Sequence, residues 1–183
     1  TKQKLSMRKS TVYTLLILFV FCFSQTSHAQ TTGRFLLGTS LGATKVTSGD
    51  DLDIYLHVDG EGLYGLTPNF AAGASIGYSS TSVTTLTEYT VNGRYYFTPF
   101  EKVKFFTEAG IGSYTAKVEL VTIIVIESHN YFGVNFGAGA STNILSDNKY
   151  VLTGKIKYHN PFTKEAEGKL NWINITIGLG VQL

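Results

Sequence analysis

Arg94 and Glu108 are the two charged residues whose spacing carries the most chemistry in this chain. Arg94 sits in the alternating run "TTLTEYTVNGRYYF" and Glu108 in the alternating run "KVKFFTEAGIGSYTAKVEL". Each lies seven residues from Glu101, in the turn-like segment "TPFE" between the runs. A chain folded back at Glu101 sets position 94 opposite position 108. Their neighbours Gly93, Tyr95, Thr107 and Ala109 point the other way, so both charges face the same side of the sheet. An unpaired charge in a confined interior is very costly, so the expected chemistry is an internal ion pair with a structural role. Conduction of protons or ions is the functional alternative. Glu61, Tyr96, Lys155 and Lys157 extend the network if their registers bring them to the same interior.

The remaining reactive side chains point to no catalysis. His57, His129 and His159 show no His-x-His spacing on one strand face, and they fall at the rim or in loops of the expected architecture, so no metal site is expected. "ESHN" (127–130) brings an acid, a serine and a histidine together in sequence, but adjacent strand residues point to opposite faces and cannot converge as a triad. The glycines follow strand parity and form no phosphate-cradling loop, so no cofactor is expected. Basic residues are not interleaved with aromatics, which excludes nucleic acid as a partner.

The elements that must position these residues are strands. Period-2 runs recur and no convincing 3.6-residue apolar period exists. Eight are expected: 33–46, 53–66, 70–80, 84–97, 102–120, about 128–142, 149–159, and the closing "NWINITIGLGVQL". Short connections rich in Pro and Asn (67–69, 98–101, 143–148) alternate with mostly longer polar ones. Ahead of them, Met7, Arg8 and Lys9 precede the apolar run Thr11–Ser24 and the small residues Ser27 and Ala29. This is the pattern of a secretory signal peptide over residues 1–29, with residues 30–183 as a single barrel domain. Cleavage there leaves no cysteine, and Lys plus Arg falls from 15 to 11 against 13 acids, a net charge of −2.

Alternation alone does not say which face is outside. The polar partners do. Gly38, Ser40, Gly42, Gly73, Ser75, Gly77, Asn135, Gly137, Gly139, Asn174 and Thr176 are too small and too poor in charge for a solvated exterior, but they suit a crowded bore. The opposite set, including Ile173, Ile175, Ile177, Leu179 and Val181, then faces lipid. A spanning sheet must close on itself, because lipid satisfies no backbone hydrogen bonds. The expected fold class is therefore all-β, an eight-stranded antiparallel up-and-down transmembrane barrel. Tyr64, Tyr78, Tyr95, Phe97, Phe100, Tyr150 and Tyr158 near the strand ends fit interfacial girdles.

The stretch "NGRYYFTPFEKVKFFTEAGIGSY" (92–114), together with "NFAAGASIGYS", resembles the small outer-membrane β-barrel domain proteins of the OmpX-like and OprW-like type, particularly those of Bacteroidetes. The resemblance implies a bacterial outer-membrane location. It fits a non-enzymatic, monomeric protein with outer-membrane lipid around it, serving surface structure, adhesion or envelope integrity. Two alternatives stay open: a narrow porin-like channel, and a secreted lipid-binding barrel with its oily face inward. The segment 118–128 is apolar on both faces where an outer loop belongs. Val121, Ile123, Ile124 and Val125 there are expected to offer another protein a surface for strand addition.

Overall fold

The computed structural model describes residues 32–47, 54–81, 84–97, 103–120, 125–144, 149–163 and 170–183. The segment read as a signal peptide, and Phe100, lie outside the described residues. Eight strands follow in chain order: β1 (Phe35–Val46), β2 (Ile54–Gly65), β3 (Phe70–Ser80), β4 (Thr84–Phe97), β5 (Val103–Leu120), β6 (Val125–Asn143), β7 (Tyr150–Pro161) and β8 (Trp172–Gln182). Each pairs antiparallel with its sequence neighbour, and β1 pairs with β8, so the barrel is closed. Closure leaves the spanning strands no bare edge.

The connections from β2 to β3, β4 to β5 and β6 to β7 fall at one end of the barrel. In the first, the amides of Leu66 and Thr67 donate to the Phe70 carbonyl, and the Phe70 amide donates back to Thr67 Oγ1. The β1–β8 seam closes at the same end, where Phe35 and Leu183 exchange backbone hydrogen bonds of 3.0 and 2.7 Å.

Alternation along each strand sorts the side chains as a barrel requires. Along β8, Ile175, Ile177 and Leu179 are 57–61% exposed, whereas Asn174 and Thr176 are buried. The same division holds in β1, where Leu37 and Leu41 point out and Ser40 and Thr44 point in. The bore is therefore polar and the outer wall is greasy, the reverse of a barrel that stores a lipid inside. The secreted lipid-binding alternative fails on this point. Outward aromatics gather towards the short-turn end: Phe35 tilts against Tyr64 with ring centroids 6.3 Å apart, and Tyr95 meets Phe97 edge-on at 5.3 Å.

β5 and β6 are the long strands, 18 and 19 residues against 11–14 in the other six. The sixth strand therefore starts at Val125 and not near 128. What looked like an outer loop over 118–128 is largely ladder, because β5 and β6 stay paired up to Leu120 opposite Val125. The β-branched, apolar sequence on both faces of this stretch explains the extension.

Candidate functional site

The bore carries the only concentration of charge that the described strands build. Arg94 on β4 stands directly opposite Glu108 on β5. Its Nε and Nη2 donate to Glu108 Oε2 at 3.0 and 2.7 Å. The other side of the guanidinium grips Glu61 on β2, with Nη1 to Oε1 at 3.2 Å and Nη2 to Oε2 at 2.8 Å. Two carboxylates thus clamp one fully buried, planar cation, a geometry only arginine offers. Its guanidinium also lies 4.2 Å from the centre of the Phe106 ring.

Two lysines on β7 complete the network from the opposite wall. Lys155 Nζ reaches Asp59 Oδ1 at 3.1 Å and Glu61 Oε2 at 2.9 Å, and Lys157 Nζ reaches Glu108 Oε1 at 3.0 Å. Strands β2, β4, β5 and β7 are in this way tied across the bore. Tyr96 is the expected member placed elsewhere. It points inward but lies one layer nearer the short turns, edge-on to Phe106 at 5.8 Å, in an apolar cluster with Leu63 and Ala71.

A second apolar layer closes the other end. Leu86, Tyr114 and Trp172 cluster there, with Val46, Ala116, Tyr131 and Leu170 packed against them. Charges in the middle and apolar layers above and below leave little open bore. Among the described residues the inner wall leaves small cavities, one of about 30 Å3 beside Tyr96 and one of about 10 Å3 beside Asp59 and Lys155. A single water needs roughly 10–15 Å3 by this measure.

Between the ion network and the second apolar layer lies a cluster that the sequence reading did not assemble. It contains His57, Asp59, Glu88, His159 and Asn174, all at most 5% exposed. The expectation that His57 and His159 take rim or loop positions is wrong: both are fully buried in the bore, and His159 stacks on Trp172 at 5.2 Å. Only His129 is exposed, beside Tyr131 on β6. Parity could have found them, since 57 and 59 share the face of Glu61, and 159 shares that of Lys155 and Lys157.

Glycine makes room for these side chains. A Cβ on Gly77 would collide with the Glu88 carboxylate, and one on Gly110 would strike Val91 O and Asn92 Oδ1 and come within 2.9 Å of Asn135 Nδ2. Gly110→Val is expected to cost about 1–3 kcal/mol by overpacking. Urea unfolding of the barrel in detergent micelles checks it, and an unchanged midpoint would show that the bore has slack there.

The other expected residues fall as follows. Ile173 and Val181 point outward with Ile175, Ile177 and Leu179. Val125 belongs to strand β6, and Val121, Ile123 and Ile124 lie outside the described residues. Ser128, His129 and Asn130 are consecutive exposed residues of β6, so they alternate between its faces. Among the described residues no group of three or more His, Cys, Asp or Glu side chains has the arrangement to hold a metal.

The outer membrane protein beta-barrel domain family matches residues 14–182 of the chain. No curated protein matches it at a significant level. Among solved structures, the Neisserial surface protein A is similar with a TM-score of 0.69 at 13% identity, covering 82% of this chain and 97% of that one. The N-terminal β-barrel domain of Pseudomonas aeruginosa OprF gives 0.62 at 15% identity, over 84% and 100%. Ail, the attachment invasion locus protein of Yersinia pestis, gives 0.59 at 15% identity, over 83% and 99%. At these identities the likeness concerns the fold.

Proposed function

Because the chain belongs to the outer membrane protein beta-barrel domain family, and so resides in the bacterial outer membrane, we propose that it is a non-enzymatic, monomeric surface protein that serves adhesion or envelope integrity. The filled bore carries this reading. Arg94, Glu108, Lys155 and Lys157 are at most 8% exposed and tied to one another across it. Lumens of eight-stranded barrels are just wide enough for side chains to fill. A narrow channel would need an open path past layers of side chains that, among the described residues, fill the bore. In planar bilayers the protein is expected to give no discrete conductance steps; regular single-channel steps would overturn the plugged bore.

A plugged barrel acts through what it raises above the membrane. Here that is the β5–β6 hairpin. Among the described residues the β6–β7 ladder runs from Gly133, opposite Pro161, to Asn143, whereas the pairing of β6 with β5 runs on to Val125. On the other side of the hairpin, β5 stays paired with β4 as far as Val118. The last described backbone hydrogen bond between β7 and β6 runs from the Phe162 amide to the Phe132 carbonyl, just past Pro161. The β5–β6 hairpin thus extends past the described end of β7, and this β-prone projection suits an extended segment of another protein, bound by strand addition. Deleting residues 119–126 is expected to leave the heat-dependent gel shift of the folded barrel unchanged while abolishing adhesion of cells that display it. Adhesion that survives the deletion would contradict the assignment.

A further inference from the structure

The cluster around Glu88 lacks a permanent cation, and its hydrogen bonds show what replaces one. Among the described residues, four carboxylates face the bore: Asp59, Glu61, Glu88 and Glu108. Three permanent cations answer them, and each is already engaged: Arg94 with Glu61 and Glu108, Lys155 with Asp59 and Glu61, Lys157 with Glu108. The ionisable partners of Glu88 among the described residues are two histidines, His159 Nδ1 at 3.3 Å and His57 Nε2 at 3.9 Å.

A directional chain of hydrogen bonds starts at Glu88. The Asn174 amide nitrogen lies 3.3 and 3.5 Å from the two Glu88 oxygens, which accept, so the amide orientation is set. Asn174 Oδ1 must then accept from Thr44 Oγ1, 2.6 Å away. Thr44 has spent its one hydrogen, so Ser79 Oγ donates to it at 2.8 Å. Ser79 has now spent its own, and His57 Nδ1 must donate to Ser79 at 2.7 Å. That leaves His57 Nε2 pointing at Asp59 Oδ2, 3.4 Å away, with Glu88 beyond. A bare lone pair there would face two carboxylates. The Asn174 amide also lies 3.4 Å from this nitrogen, but its two hydrogens are drawn to Glu88 and to His159 Nε2, at 3.2 Å.

We infer that His57 is the fourth cation of the bore: an imidazolium that donates from both ring nitrogens and latches β2 to β3 and β4 in the half of the barrel away from the β2–β3 turn. The groups around the latch come from the other walls as well: Thr44 on β1, Tyr114 on β5 through His159, His159 and Lys157 on β7, and Asn174 on β8. His159 is the neutral member: its protonated Nδ1 lies between Glu88 Oε2 at 3.3 Å and the Tyr114 hydroxyl at 3.4 Å, and its bare Nε2 accepts from Asn174. With His57 charged, four cations meet four carboxylates among the described residues of the bore, and that set is neutral.

Histidine side-chain 15N spectra of the whole protein, 15N-labelled and held in detergent micelles at neutral pH, test the assignment. His57 is identified by the signals lost in His57→Gln. The expected spectrum shows both His57 nitrogens protonated and one bare nitrogen on His159. In Glu88→Gln, which removes the unmatched negative charge, His57 is expected to lose its Nε2 proton. Should that variant not fold, Asp59→Asn, which removes the carboxylate nearest Nε2, is expected to do the same. A wild-type His57 with one bare nitrogen overturns the inference, as does a His57 still doubly protonated in a folded variant.

Discussion

Arg94→Met is expected to cost the folded barrel about 3–5 kcal/mol, the usual penalty for breaking a buried ion pair from one side. Methionine restores most of the lost volume but leaves Glu61 and Glu108 in a dry bore with only Lys155 and Lys157 to answer them. Glu108→Gln is expected to cost less. From the sequence, losing Glu108 strands Arg94; in the structure Glu61 still holds the guanidinium through two hydrogen bonds. Equilibrium unfolding in urea, with the barrel in lipid vesicles, measures both. The ranking carries as much information as the size. If Glu108→Gln proved the more damaging, Glu61 would not be the second jaw of the clamp. An Arg94→Met barrel as stable as wild type would mean that water reaches the network.

Ile177→Arg is expected to cost roughly 2–4 kcal/mol, as for an arginine on the lipid face of a barrel at mid-bilayer. Ile177 is the central residue of β8 and points outward, 61% exposed, between Leu41 on β1 and Gly154 on β7. Two outward positions farther from the β2–β3 turn, Ile173 pairs with Lys45. A charge already stands there, so Ile173→Arg should cost only about 0–1 kcal/mol. The same chemistry at two depths separates a membrane gradient from simple loss of packing. Equal costs at both positions would contradict the placement of the bilayer.

Parity was the part of this molecule written most plainly in its sequence. The alternation of Ile175, Thr176 and Ile177 states which way each points, and the reflection of 94 onto 108 about Glu101 is the register the strands adopt. What alternation does not state is height. Strands in a barrel tilt and stagger, so residues with the same parity on different strands reach different layers. Tyr96 points inward like Arg94 yet drops into the apolar layer, while His57 and His159, which look like rim residues when counted along their strands, meet over Glu88 in the bore. Asp59, two residues from Glu61 and on the same face, was within reach of the same rule. The β5–β6 hairpin was harder to read, because a segment apolar on both faces gives no inward and outward sides to follow.

Greasy outer wall and filled polar bore stand or fall together, and accessibility measured on the lipid face tests them at once. Cys22 is the single cysteine of the sequence; in a Cys22→Ser background, spin labels attached to cysteines placed one at a time at Ile175, Ile177 and Leu179 probe the wall in lipid vesicles. All three labels are expected to collide freely with oxygen dissolved in the bilayer and to be shielded from a water-soluble nickel complex. Labels that the nickel complex reaches, or that neither reagent reaches, would place these isoleucines and this leucine in water or in a protein core and contradict the account.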